Sequence, residues 1–295
     1  MSEPLPLSLL TDLSAALASL VVKVTACVVS VNFHRSRSSG FLWQPGLIVT
    51  ADEALSEEGE FAVTLSGGET VGAQLVGRDP TTDVALLRID RPNLPSVPLV
   101  ASPVTAGALA MAVGAENGAP IAALGVVSRA AGPWRSLRGG EIDARIELDL
   151  HLRQNAEGSL ALDAAGQAIG MVVFGPRRRA IVIPSATIER VADKLKTHGR
   201  IARGYLGLGL RTVALAGSDE LGAMVMSVDP KGPGVAAGIH QGDIIVAWNG
   251  EPVRHMQALL RALGPDSVGQ TVTLGLRRAG DMKQIPLTIA ERPVA

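Results

Sequence analysis

Cysteine occurs once in the 295-residue chain, histidine five times, and aromatic residues make up only 3%. The lone Cys27 excludes an intramolecular disulfide. Its setting, Ala26-Cys27-Val28-Val29, suits a small buried hydrophobe, and no base stands beside it in sequence to activate a thiol. An excess of charge is also missing: 27 Lys and Arg balance 28 Asp and Glu, for a formal net charge of -1. A chain so balanced has no global field for nucleic acid or an anionic membrane, and neither is expected as a partner. The one compact basic run, Arg177-Arg178-Arg179, reads as a solvated loop. No apolar run approaches the roughly 18 residues of a membrane span. No Lys or Arg precedes Lys23, so the basic start of a secretory signal is lacking. These absences lead to the expectation of a cytoplasmic protein.

What is present is apolar and finely punctuated. Hydrophobic residues make up 47%, and 33 Gly and 18 Pro are spread along the chain, as tight turns between short strands require. Runs such as Gly46-Leu47-Ile48-Val49-Thr50, Asp83-Val84-Ala85-Leu86-Leu87 and Ala168-Ile169-Gly170-Met171-Val172-Val173 have strand length. Leu9, Leu10, Leu13, Leu17, Leu20 and Val21 instead recur at helical spacing and predict an amphipathic helix packed on the domain. A second helix is predicted over 186–198, with Ile188, Val191, Ala192 and Leu195 on one side and Gly199 as its C-cap. Strands resume after Arg203. The spacing therefore predicts two domains, 1–199 and 200–295.

Several of these segments have a familiar order. Ser39-Gly40-Phe41 leads into Gly46-Leu47-Ile48-Val49-Thr50, and Gly77-Arg78-Asp79-Pro80-Thr81-Thr82-Asp83-Val84-Ala85-Leu86-Leu87 follows. Next come Gly125-Val126-Val127-Ser128, Asp163-Ala164-Ala165-Gly166-Gln167-Ala168-Ile169-Gly170, Ile181-Val182-Ile183-Pro184 and Arg203-Gly204-Tyr205-Leu206-Gly207. Together they resemble the HtrA/Deg-type trypsin-like serine proteases with one C-terminal PDZ domain. The resemblance implies a mostly β chain: two packed six-stranded β-barrels with a cleft between them, then an α+β PDZ domain. It also implies assembly into homo-trimers, which family members commonly form.

The resemblance places a Ser–His–Asp triad in that cleft, and only Asp83 keeps its residue type. Where the family reads Thr-Asn-Ala-His, this chain reads Thr50-Ala51-Asp52-Glu53. Where it reads Gly-Asn-Ser-Gly-Gly, counting back from Asp163 gives Asn155-Ala156-Glu157-Gly158-Ser159. Glu53 and Glu157 thus stand in the His and Ser positions, and a two-residue slip would be needed to bring in Ser159. His34, His198, His240 and His255 lie outside the base segment, and His151 sits on the loop six residues before Glu157. If Glu53, Asp83 and Glu157 converge, two like charges at about 4 Å repel by about 4 kcal/mol at an effective dielectric near 20. Pairing with an arginine of the 177–179 run or turning into solvent is the first expected outcome, a divalent cation the second, and an acid-catalysed hydrolase the third.

In the C-terminal part, Tyr205-Leu206-Gly207-Leu208 resembles the PDZ loop whose amides receive a peptide's terminal carboxylate. Gly209 and Leu210 then open an edge strand to which a ligand strand could add. Asn249-Gly250 predicts a hairpin turn, and a helix from His255 to Leu263, with Leu259, Leu260 and Leu263 on its apolar side, closes the groove. The combined expectation is a protein that is not an enzyme and binds peptide C-termini or extended segments through Tyr205–Leu210, with no cofactor and no metal. The alternatives are a structural subunit of an oligomer and a hydrolase with a non-classical site.

Overall fold

The structure is a computed structural model and describes residues 7–33, 36–55, 60–215, 221–253 and 256–293. It divides into two compact units, residues 1–134 with 141–200, and 135–140 with 201–295.

The first unit opens with α1 (Leu7–Val24). Six short strands follow: β1 (Val28–Phe33), β2 (Ser36–Gln44), β3 (Leu47–Thr50), β4 (Phe61–Thr64), β5 (Thr70–Asp79) and β6 (Val84–Ile89). They close into an antiparallel barrel in the order β1-β2-β3-β6-β5-β4. Its interior is filled by side chains such as Val31, Leu42, Ile48, Val63 and Leu87, all at 1% exposure or less. Next come β7 (Leu109–Glu116), β8 (Ala119–Ala131), the short strands β9 (Trp134–Arg135) and β10 (Glu141–Ile142), then β11 (Arg145–Asp149), β12 (Ser159–Asp163), β13 (Ala168–Phe174) and β14 (Ala180–Pro184). A second closed barrel runs β11-β14-β13-β12-β7-β8 around Ala112, Val127, Ala161, Val172 and Val182. The expected pair of six-stranded barrels is therefore present.

Helix α2 (Ser185–His198) buries Ile188, Val191, Ala192 and Leu195, and Gly199 ends it at φ 72° with its N–H on the Leu195 carbonyl. Gly77 packs so closely here that a Cβ would lie 2.2 Å from the Gly199 carbonyl oxygen. The amphipathic prediction for α1 needs correction. The helix forms, but Leu9, Leu10 and Leu13 remain 46–52% exposed. Its contact with the barrel includes Leu20, against which a Cβ on Gly166 would press at 2.7 Å. No described helix is long and apolar enough to cross a membrane.

The second unit contains β15 (Gly204–Tyr205), β16 (Leu208–Ala214), β17 (Leu221–Val228), α3 (Pro233–Ala236), β18 (Ile244–Trp248), β19 (Glu251–Pro252), α4 (Met256–Ala262), β20 (Thr271–Arg278), β21 (Asp281–Thr288) and β22 (Ala290–Glu291). Its sheet runs β16-β17-β18-β20-β21, which leaves β16 at an edge. The core gathers Val225, Ile239, Ile245, Leu259, Leu274 and Leu276. Asn249 and Gly250 both take positive φ, 49° and 85°, in the predicted turn between β18 and β19.

Candidate functional site

The first candidate is built where β3 ends and β6 begins. Asp79 folds the preceding turn onto itself: its Oδ1 accepts from the Thr81 N–H at 3.1 Å and hydroxyl at 2.7 Å, and its Oδ2 accepts from the Thr82 hydroxyl at 2.7 Å. The turn delivers Asp83 at φ 59°, a left-handed conformation that Asp tolerates better than most residues. Opposite, Glu53 donates its N–H to Asp83 Oδ1 at 2.7 Å, and Asp52 forms an ion pair with Arg78. Glu157 enters from the other barrel, at the end of a short 3₁₀ turn over Gln154–Ala156. Its carbonyl accepts the Ser39 N–H at 2.8 Å, and its Oε1 accepts the Phe174 N–H at 3.3 Å. Gly158, at φ 85°, makes this approach feasible, because a Cβ there would sit 2.1 Å from the Ser39 carbonyl oxygen.

One carboxylate oxygen from each of Glu53, Asp83 and Glu157 lies within 4.8 Å of the others. Glu53 is exposed and the other two are half-buried. Burial pushes the Asp83 carboxyl up to about 8, with the charges of Glu157, Glu53 and Asp52 adding to the rise and the Glu53 N–H opposing it. Burial likewise raises Glu157, aided by Glu53 and opposed by the Phe174 N–H and by Arg178. The set can hold a proton at neutral pH, and its donor spacing could bridge a divalent cation. Of the three arginines expected nearby, Arg179 lies 3.5 Å from Glu147, and Arg178 stacks over the Phe174 ring at 4.5 Å.

Ser159 is buried, and its Oγ has no hydrogen-bond partner among the described residues. It lines a cavity of about 370 Å³ together with His151, Arg153 and Ala156. His34 and His255 lie outside the described residues.

Sequence reading missed Ser39. Fully buried on β2, its Oγ accepts the Ala115 N–H at 3.1 Å and donates to the Asn155 carbonyl at 3.0 Å, while its carbonyl accepts the Thr50 hydroxyl at 2.7 Å. One small residue of the first barrel thereby fixes both the segment before Glu157 and the strand before Glu53. The only signal was its place in the Ser39-Gly40-Phe41 segment.

The second candidate is the loop from Tyr205 to Leu210. Leu206 is buried, and Leu208 and Leu210 pack partly buried against the core, as do Met256 and Leu263. Gly207 adopts φ 70°, and a Cβ on it would meet the Gly232 Cα at 2.8 Å. Gly209 faces Ser227 across β16 and β17. The Tyr205 hydroxyl donates to Asp229 Oδ2 at 2.8 Å. Leu260 has no described side chain.

Comparison with known proteins adds names. Residues 38–171 match the trypsin-like peptidase domain and residues 204–289 match the PDZ domain. A probable periplasmic serine endoprotease DegP-like of Brucella suis is 31% identical over 274 residues, covering 88% of this chain and 53% of the relative. The Chlamydia trachomatis protein of the same description is 32% identical over 272 residues, covering 87% and 54%. The chain thus spans about half the length of the curated relatives it matches. Among solved structures, the serine endoprotease from Yersinia pestis is 26% identical and covers 93% of this chain and 98% of its own, at a TM-score of 0.70. The HtrA-type protease AlgW with decapeptide shares the fold at 21% identity and a TM-score of 0.70, covering 94% and 99%.

Two expectations are overturned here. The relatives are named serine endoproteases, which points to a protease and corrects the expectation that the chain is not an enzyme. They are also named periplasmic, which corrects the cytoplasmic assignment.

Proposed function

The chain is a trypsin-like peptidase domain joined to a PDZ domain, of the HtrA/DegP type, and from that premise we propose that it captures polypeptides by their C-termini and hydrolyses them. Capture belongs to Tyr205–Leu210. The observation that carries it is an edge strand, β16, preceded by a loop whose Gly207 takes φ 70°. An extended ligand adds to such an edge by main-chain hydrogen bonds, and the loop amides receive its carboxylate.

Hydrolysis falls to the acidic cluster, in which Glu53 and Glu157 stand at the His and Ser positions. The raised Asp83 carboxyl supports this assignment. An ionised Glu53 or Glu157 takes a proton from water as the water oxygen bonds the peptide carbonyl carbon. Protonated Asp83 gives its proton to the leaving amine as the C–N bond breaks. The test is cleavage of unfolded casein by the full chain and by Asp83→Asn, Glu157→Gln and Ser159→Ala. Loss in the first two with retention in the third supports the carboxylate route. Loss in Ser159→Ala, with fluorophosphonate labelling of the wild type, moves the nucleophile to Ser159. An inert wild type overturns hydrolysis altogether.

The exposed Leu9, Leu10 and Leu13 of α1 favour self-assembly as an accompanying property. Light scattering of the wild type against Leu9→Ser/Leu13→Ser checks it, and an unchanged mass would remove α1 from the interface.

A further inference from the structure

Resting on the reading that the 205–210 loop receives a peptide C-terminus, we propose that Asp229 is the positioning residue that aims this loop at the ligand's carboxylate. Peptide geometry carries the first step. A trans peptide unit holds its C=O and the following N–H on opposite sides. The Leu206 carbonyl accepts the Gly234 N–H at 2.8 Å, and the Gly207 carbonyl accepts the Asp229 N–H at 2.8 Å. Both carbonyls are therefore turned onto the 229–234 segment, and the N–H groups of Gly207 and Leu208 face the other way. Two successive amides presented together make a concavity for an anion.

The strand register agrees. Leu208 stands opposite Val228, one step from the Asp229-to-Gly207 bond, so this is a pair that does not exchange its own hydrogen bonds. The Leu208 N–H is left pointing off the sheet edge.

The Asp229 side chain then fixes the segment that holds those carbonyls. Its Oδ2 accepts the Tyr205 hydroxyl at 2.8 Å, its Oδ1 accepts the Lys231 N–H at 2.9 Å, and its carbonyl accepts the Gly232 N–H at 2.9 Å. Gly232 in turn backs onto Gly207. Tyr205, at the start of the loop, is also held through its main chain by pairing with Ala290. Asp229 thus joins the loop's entrance to the turn beneath it. The Tyr205 hydroxyl proton is directed at Asp229, so Tyr205 acts through this tether and not as a donor to the ligand. As an anion, Asp229 cannot attract the peptide carboxylate, which leaves geometry as its contribution.

The experiment is calorimetric titration of the full chain with an apolar octapeptide, either as the free acid or as the C-terminal amide. The wild type should prefer the free acid. Asp229→Ala should weaken free-acid binding by about tenfold, the value of one well-made hydrogen bond, and leave amide binding unchanged, and Tyr205→Phe should weaken free-acid binding by a similar factor. Asp229→Asn keeps one acceptor oxygen, for the Tyr205 hydroxyl or the Lys231 N–H but not for both, and should retain part of the preference. If the wild type binds both peptides alike, the carboxylate reading of the loop fails, and this proposal with it. If the wild type discriminates while Asp229→Ala discriminates equally well, the loop reading stands and the role of Asp229 is overturned. Equal loss for both peptides would mean general loosening of the groove and would also overturn it.

Discussion

Glu157 accepts the Phe174 N–H on its Oε1 at 3.3 Å, while its own carbonyl is held by the Ser39 N–H. The carboxylate is thus fixed at the end of β13, close to Glu53 and Asp83. Burial raises its pKa, so the ionised form is disfavoured in the folded state. Glu157→Gln keeps an acceptor for Phe174 and removes the charge. Its urea midpoint at pH 7 should equal or exceed that of the wild type, with the advantage fading at acid pH, where Glu157 takes up a proton. A lower midpoint at pH 7 would show that the charge is needed for folding.

Asp83 gives a wider window. Its carboxyl titrates near 3.8 when unperturbed and is pushed up to about 8 here. Between these values the folded chain holds a proton that the unfolded chain has lost, so stability falls as pH rises from about 4 to about 8. Asp83→Asn retains an acceptor for the Glu53 N–H and should flatten that decline. Urea denaturation at pH 5 and pH 8 measures it, and equal slopes for the two proteins would contradict the assignment.

The barrels were legible because their strands are short, apolar and bounded by Gly, Pro and Asp, and because α2 shows the helical period in Ile188, Val191 and Leu195. The convergence of Glu53, Asp83 and Glu157 was legible from motif order, since each occupies a fixed place in its segment. Ser39 was not: its bonds join residues 76 and 116 positions away, and no local pattern encodes them. The packing of α1 was over-read, because periodicity identifies an apolar side without showing what covers it. Compartment was misread from the absence of a basic start, which is a weak signal beside the named relatives.

Ser39→Ala should therefore cost more than its size suggests. The change leaves the buried Ala115 N–H without its acceptor and the Asn155 carbonyl without its donor. An unsatisfied buried group costs about 1–3 kcal/mol. A drop of that order in the unfolding free energy is expected, with exchange of the Ala115 amide among the protections lost. A change within 0.5 kcal/mol, the ordinary range for a surface substitution, would mean that water replaces the hydroxyl at no cost.

Gly207→Val is the sharpest test of the peptide loop. The residue sits at φ 70°, where a β-branched side chain is strained, and its Cβ would lie 2.8 Å from the Gly232 Cα. Both effects push the 206–208 segment away from the 229–234 turn and swing the amides of Gly207 and Leu208 off their common direction. Binding of an apolar free-acid peptide to the full chain should fall at least tenfold, since relieving this clash takes more than the 1.4 kcal/mol that a factor of ten represents. The first unit has its own cores and should keep its amide exchange pattern. Gly238, also at positive φ of 74° but with open space around its Cβ, supplies the control. Gly238→Ala introduces strain without a clash and should leave peptide affinity within a factor of two or so. If both substitutions weaken binding equally, general destabilisation of the second unit accounts for the loss, and the loop is not the receiving site.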